Sequence, residues 1–239
     1  MKAMILAAGL GTRLKPLTDE RPKALVRFKG IPLLERIVRN LAAAGIDHIL
    51  INVHHFGDQV IEYVRRLEVR GTVLDISDER EKLMDTGGAI LQARDYFAGE
   101  SAFLVHNVDV LTDLDIRALI EAHRSSEALA TVAVKKRPTT RSLLFDSQGW
   151  LSGWRQNETG ETRMVRHPEG DLEDYGNSCI QVISGEFFRH FPETGVRNLT
   201  DLYLELAANH RIQPYIHNRD YWYDLGRYER FLKADKEVF

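Results

Sequence analysis

The sequence predicts an α/β fold built on a mostly parallel sheet, and three observations carry that prediction. Short apolar runs at residues 3–6, 48–53, 72–76, 102–105 and 129–134 have the length and flanks of buried strands. Between them, residues 32–45, 56–70, 87–97 and 114–124 read as helices. Alternation of this kind implies βαβ units, and in such sheets ligands lie beyond the carboxyl ends of the strands. The residues just after each strand are therefore where function is to be sought.

The first run, residues 3–6, gives way at once to Ala7-Ala8-Gly9-Leu10-Gly11-Thr12-Arg13. Small residues and glycines let backbone N–H groups approach an anion closely. Arg13 and Lys23 supply the two kinds of cation that phosphates need, a planar fork and a compact point charge. The stretch reads as a phosphate-handling loop. It is not a dinucleotide fingerprint, since Leu14 stands where the third glycine belongs, and no Gly-Lys-Ser/Thr follows to make a P-loop.

Leu33, Leu34, Ile37, Val38 and Leu41 set the helical stripe of 32–45, which Gly45 stops, and Gly71 closes 56–70. The glycines Gly87 and Gly88 open the third helix. From about Arg137 the rhythm changes. Residues 143–145, a turn at 146–149 and residues 150–154 read as a hairpin, and the polar stretch 155–171 as a mobile loop or short antiparallel excursion. Residues 175–183 form a strand, Ser184 caps a short helix through 190, and Thr200-Asp201 opens a helix to 209. Short strands at 212–217 and 221–223 and a helix at 226–237 complete the chain. There is no internal repeat or long linker, so 1–239 reads as one domain, its hairpin-rich second half folding onto the sheet as a substrate-side lid.

A chain of 239 residues buries a full α/β core, and 44% apolar and 28% charged residues are ordinary for a soluble globular protein. A net charge of −3 argues against a nucleic-acid surface. The single cysteine, Cys179, forms no intrachain disulfide, which suits a reducing cytoplasm, and reads as a small buried hydrophobe. No membrane span or signal-peptide layout is visible, so the expected location is cytoplasmic. The nine histidines form no helix-spaced metal pair, and His54, His55 and His106 read as packing or solvent residues, with an edge-of-pocket place the alternative for His54.

Two aspartates stand at strand ends. Asp109 follows the apolar strand in His106-Asn107-Val108-Asp109, and Asp224 sits in Trp222-Tyr223-Asp224-Leu225-Gly226. Each could hold a divalent cation, which prefers hard oxygen ligands and phosphates. Each could equally start a turn or cap the following helix.

The longer pattern is more telling. Gly9-Leu10-Gly11-Thr12-Arg13, then Pro16-Leu17-Thr18, then Pro22-Lys23-Ala24-Leu25 resembles the signature of the sugar-1-phosphate nucleotidylyltransferases. The likeness is dense over residues 1–115 and returns around 222–226. It implies a Rossmann-like three-layer α/β/α fold of the nucleotide-diphospho-sugar transferase type, with a mixed, mostly parallel sheet and a small hairpin-rich insertion. It also implies a nucleotide-binding half at 1–135 and a sugar-phosphate-binding half at 136–239. Asp109 and Asp224 resemble the family's two metal-binding aspartates, here holding Mg2+, with Asp224 also lining the substrate site. Val108 stands where the family has glycine and adds bulk beside the nucleotide.

By the same resemblance Ala7, Ala8, Gly9, Gly11, Thr12, Gly87, Gly88 and Asn107 bind nucleotide, and Arg13, Lys23 and Asp109 are catalytic. Thr86 either joins the nucleotide pocket or only caps. Asn177 binds sugar hydroxyls or is a plain strand-edge amide. The family's mid-chain lysine has no counterpart between 149 and 174, where Arg155, Arg163 and Arg166 are the cations; Arg163 or Arg166 could take its role. The implied partners are a nucleoside triphosphate and a sugar 1-phosphate, in a monomer or dimer. The opening residues 1–9 and Asp85-Thr86-Gly87-Gly88 look most like the N-acetylmuramate-1-phosphate uridylyltransferases, which favours UTP. Mannose-1-phosphate guanylyltransferases and phosphocholine cytidylyltransferases share much of the pattern. A non-enzyme alternative is an inactive nucleotide-sugar-binding regulatory subunit; an oxidoreductase is disfavoured by the missing third glycine.

Overall fold

The computed structural model describes residues 1–238. In chain order the elements are β1 (Lys2–Leu6), 3-10 turns at Thr12–Leu14 and Lys23–Leu25, β2 (Arg27–Phe28), β3 (Ile31–Pro32), α1 (Leu33–Ala43), β4 (His48–Val53), α2 (Gly57–Arg66) and β5 (Val73–Asp78). There follow α3 (Asp85–Gln92), β6 (Ala102–Asn107), β7 (Val110–Thr112), α4 (Ile116–Arg124), β8 (Ala130–Lys135), β9 (Arg141–Phe145), β10 (Leu151–Gln156), β11 (Thr162–Met164) and β12 (Glu173–Ser184). The chain ends with a 3-10 turn at Gly185–His190, α5 (Leu199–Ala207), β13 (Ile212–Ile216), β14 (Trp222–Asp224) and α6 (Tyr228–Glu237).

The chain divides into two units. The first comprises Met1–Met84, Val105–Leu114 and the residues from Tyr221 onward, and the second comprises Asp85–Leu104 and Asp115–Asp220. In the first unit β1, β4 and β5 pair in parallel, with Leu6 beside Asn52 and Ile51 beside Ile76. Ala3, Met4, Ile5 and Leu6 are all buried, as a continuous apolar run in a parallel sheet requires. Helix α1 buries Leu33, Leu34, Ile37, Val38 and Leu41 along one stripe, as its periodicity predicts.

A smaller core in the same unit matters more for the site. Leu14, Val26, Phe28, Leu33, Leu111, Leu225, Phe231 and Ala234 pack together. These residues come from four separate stretches, so their burial pins the first loop, β7, the 224–226 turn and α6 to one another. The β2–β3 hairpin and the β7–β14 ribbon that frame this core were not expected from sequence.

In the second unit β12 pairs antiparallel with β8 and β9, β10 bridges β9 and β11, and β13 runs parallel to β8. The polar stretch 155–171 is the antiparallel excursion rather than a plain loop, since β11 pairs with β10. Ser184 caps its turn as expected, accepting from Glu186 N–H. Helix α5 starts earlier than expected because Asn198, not Thr200, is its cap, and accepts from Thr200 N–H. No helix among the described residues is long and apolar enough to cross a membrane.

Candidate active site

The first loop is shaped by its glycines and by Thr18. Gly11 takes a left-handed φ of 66°, and Thr18 Oγ1 donates to its carbonyl at 2.8 Å. A Cβ at Gly11 would press on Thr18 Cγ2 at 3.1 Å, and one at Gly9 would stand 3.4 Å from Lys23 Nζ. The Lys23–Leu25 turn thus lies against the loop, with Lys23 beside both glycines. Thr12 and Arg13 are exposed on their 3-10 turn, anchored by buried Leu14.

A three-residue ribbon brings the aspartates together. Antiparallel pairing of β7 with β14 sets Asp224 opposite Val110, and Leu225 N–H donates to the Asp109 carbonyl at 2.8 Å. Both carboxylates then face Gly226. A Cβ there would lie 2.5 Å from Asp109 Oδ2 and 2.9 Å from Asp224 Oδ1. One point at Gly226 thus has a carboxylate oxygen of each aspartate within 2.9 Å. Asp224 does not cap α6; its Oδ1 accepts from Gly226 N–H at 2.9 Å and its Oδ2 pairs with Arg230. Arg230 carries no sequence signal beyond its place in an amphipathic helix.

Lys23 Nζ sits 2.9 Å from Asp109 Oδ2, both side chains largely buried. Burial acts to raise the Asp109 carboxyl. The Lys23 ammonium and its hydrogen bond, helped by the Arg13 charge, outweigh burial and hold it below the usual carboxylate range. His106, fully buried, is pushed down to about 4 by burial, and its Nδ1 meets the Asn107 carbonyl at 2.8 Å. It is a neutral packing residue, as expected. Val108 is fully buried and its N–H donates to the Leu6 carbonyl at 3.1 Å. Its side chain is thus out of solvent in the fold.

The other candidates have mixed placements. Ala7 and Ala8 are buried, and their N–H groups donate to Asn52 Oδ1 at 2.6 and 3.3 Å. An anion in this loop would thus meet amides from Gly9 onward. Asn107 ends β6, half-buried. In the second unit, the N–H groups of Gly87 and Gly88 donate to the Arg197 carbonyl at 2.8 and 2.9 Å. A Cβ at Gly87 would clash with Leu202 Cδ1 at 2.7 Å and the Arg197 carbonyl at 2.9 Å, so close packing there already requires glycine. Thr86 does cap, but its helix is α5: Oγ1 accepts from Leu199 N–H at 3.0 Å.

Asn177 lies at a bulge in β12, where its Oδ1 accepts from Cys179 N–H at 2.7 Å and Cys179 takes φ of 59°. Arg166 lies over Trp150 and near Asp146, held within the hairpin, and Arg163 pairs with Asp201. Sequence reasoning passed over Asn52 and Glu79, both buried next to the loop. Among the described residues no group of three or more His, Cys, Asp or Glu converges as a metal cage.

N-acetylmuramate alpha-1-phosphate uridylyltransferase from Caulobacter vibrioides is 38% identical over 151 residues, 62% of either chain. Mannose-1-phosphate guanylyltransferase catalytic subunit beta from Xenopus tropicalis is 36% identical over 237 residues, 97% of this chain and 63% of that one. The chain thus spans just over three fifths of these curated relatives. Among solved structures, HddC from Yersinia pseudotuberculosis aligns with a TM-score of 0.77 at 23% identity, covering 100% of this chain and 99% of its own. UDP-glucose pyrophosphorylase from Acinetobacter baumannii aligns at 0.77 and 20%, covering 99% and 92%. At that identity the likeness shows the fold, the mixed, mostly parallel sheet with helices that the sequence predicts. The nucleotidyl transferase family profile matches residues 2–143, more than half of the chain, and the protein belongs to that family.

Proposed function

We propose that the protein transfers a nucleotidyl group from a nucleoside triphosphate to a sugar 1-phosphate, giving a nucleotide-sugar and pyrophosphate. The observation that carries this reading is the meeting of Asp109 and Asp224 over Gly226, beside Lys23. The donor set fits a divalent cation such as Mg2+: two hard carboxylates and, among the described residues, no third protein acid grouped with them, leaving other positions to phosphate oxygens. When bound, such a cation supplies neutralisation of phosphate charge.

The chain's own residues do the rest. A sugar-phosphate oxygen attacks the α-phosphorus in line, one P–O bond forming as the bond to the leaving pyrophosphate breaks. The nucleophile is already an anion, so no general base is needed. Lys23 would steady the α-phosphate and Arg13 the departing pyrophosphate, with Gly9, Gly11 and Thr12 lining the phosphates. In the first unit Ala7, Ala8 and Asn107 would shape the nucleotide side; in the second, Gly87 and Gly88 are assigned to the nucleotide and Asn177 to the sugar by the family resemblance alone. UTP with N-acetylmuramate 1-phosphate or a related sugar is the favoured pair, supported by the Caulobacter relative's name. GTP with mannose 1-phosphate is the second reading, supported by the Xenopus relative.

The test is pyrophosphate release with UTP, GTP and CTP against a panel of sugar 1-phosphates in the presence of Mg2+. Asp109→Asn and Asp224→Asn should each lower turnover by roughly 10²–10³-fold while the protein stays folded. Near-normal turnover in both variants would refute the metal assignment, and no turnover with any pair would refute the activity.

A further inference from the structure

Beneath the first loop lies a buried polar chain that the mechanism above does not use. Asn52, next to the end of β4, is 3% exposed, and Glu79, just past β5, is 2% exposed. Asn52 Oδ1 accepts from the N–H groups of Ala7 at 2.6 Å and Ala8 at 3.3 Å, while its Nδ2 donates to Glu79 Oε1 at 2.8 Å. The other carboxylate oxygen, Oε2, accepts from Met84 N–H at 3.2 Å. Glu79 is itself held at its backbone, its N–H donating to Val53 O at 2.8 Å and its carbonyl meeting His54 Nδ1 at 2.7 Å.

The donors and acceptors leave a single consistent arrangement. Two backbone N–H groups can only donate, so the Asn52 oxygen must face Ala7 and Ala8. Its amide nitrogen must then find an acceptor, and a carboxylate is the one group that can accept both there and from Met84. We infer that Glu79 and Asn52 are positioning residues for nucleotide binding. Through them the backbone at Ala7-Ala8, where the loop leaves β1, is preset and tied to the segment leading into α3. The inference rests on the reading above that this loop receives the nucleotide. Burying a carboxylate is costly, and two loop amides could be satisfied by a neutral acceptor or by water. Burial indeed pushes the Glu79 carboxyl upward, against the hydrogen bonds from Asn52 and Met84.

The same accounting supplies the test. In Glu79→Gln every orientation leaves one donor facing another, at Asn52, at Met84 or at Ala7-Ala8. In Asn52→Asp two carboxylates face each other across the 2.8 Å contact. The double exchange, Asn52→Asp with Glu79→Gln, satisfies every bond again: the introduced carboxylate accepts from Ala7, Ala8 and the introduced amide, whose oxygen accepts from Met84.

Each single variant should raise the KM for the nucleoside triphosphate about tenfold or more. The KM for the sugar 1-phosphate should stay within about twofold, and the double variant should return to within about threefold of the parent. Amide hydrogen exchange on the peptide carrying Ala7 and Ala8, together with calorimetric titration of UTP and GTP, reads the same pair without requiring turnover. Protection and nucleotide affinity should fall in the singles and recover in the double.

Singles that keep parental nucleotide KM and exchange protection overturn the inference, as does a double variant no better than either single. If a single folds poorly, the double still decides, since only reciprocal pairing lets it regain both melting temperature and nucleotide affinity. If the parent transfers no nucleotidyl group to any sugar 1-phosphate, the proposed activity falls. Exchange protection and nucleotide titration then judge the positioning pair separately.

Discussion

Gly226→Ala is the sharpest probe of the two-carboxylate site. Gly226 needs no left-handed backbone, so alanine is conformationally free there and any effect is steric. The new methyl would stand 2.5 Å from Asp109 Oδ2 and 2.9 Å from Asp224 Oδ1. Ordinary contact begins near 3.4 Å, so the carboxylates must retreat by several tenths of an ångström to nearly an ångström. Asp109 cannot swing freely, because Lys23 holds the same oxygen at 2.9 Å, and Asp224 is held by Arg230 and the Gly226 N–H. A displacement of about 1 Å at a reacting centre costs on the order of 10²-fold in rate, about 2.7 kcal/mol of barrier. The expected result is therefore a kcat lowered about a hundredfold, with half-saturation by Mg2+ moved to higher concentration. Steady-state pyrophosphate release across a Mg2+ titration measures both. The melting temperature should change little by comparison, which separates site damage from unfolding. A variant with kcat and Mg2+ dependence within about threefold of the parent would show that the carboxylates do not act together at Gly226.

Further outcomes follow from the same coordinates. Lys23→Met leaves the buried Asp109 carboxylate without its partner and should destabilise the fold by about 3 kcal/mol in urea titrations, most of it regained on adding Asp109→Asn. No coupling between the two substitutions would contradict the buried pair. His123 is pushed by burial from 6.5 down to about 4 in the folded state, so the unfolded chain binds the extra proton. Its contribution to stability is thus complete above about pH 6.5 and is lost as pH falls toward 4, with about 2 kcal/mol gone by pH 5. The His123→Gln variant should show a correspondingly flatter acid limb in urea titrations; an unchanged slope would contradict the assignment. Cys179 carries a side chain at φ of 59°, so Cys179→Gly should change stability by no more than about 1 kcal/mol, relief of strain offsetting unfolded-state entropy. Cys179→Val should cost more in thermal melts, and equal melting of the two variants would argue against strain at the bulge.

Much of the molecule is legible in local pattern. The strand at His48–Val53 and the stripe of Leu33, Leu34, Ile37, Val38 and Leu41 appear where apolar periodicity puts them. Two helix starts fall earlier than local pattern suggests, at Asp85 and Leu199: Asn198 rather than Thr200 caps α5, and the Gly87 and Gly88 N–H groups bond the Arg197 carbonyl, a contact made between distant stretches of chain. Gly87 shows the same limit at the level of a single residue. Its glycine fits a ligand-lined turn when read in sequence, yet the packing of Arg197 and Leu202 is sufficient reason for it.

Composition, the order of strands and helices, and the tight glycine turn at Gly11 could all be read from residue order, because periodicity and turn chemistry act over a few neighbours. The convergence of Asp109 with Asp224 is expected only through the family resemblance and not from local pattern, since it depends on a ribbon of three-residue strands, too short to leave an alternating pattern of its own. The Asn52 contacts with Ala7 and Glu79 reach across 45 and 27 positions, and a side-chain hydrogen bond at such separation leaves no mark in local sequence. Only the folded chain does both: it pairs β1, β4 and β5, which sets Asn52 beside Ala7 and Glu79, and it buries Leu14, Leu111, Leu225 and Phe231 in one core beside Asp109 and Asp224.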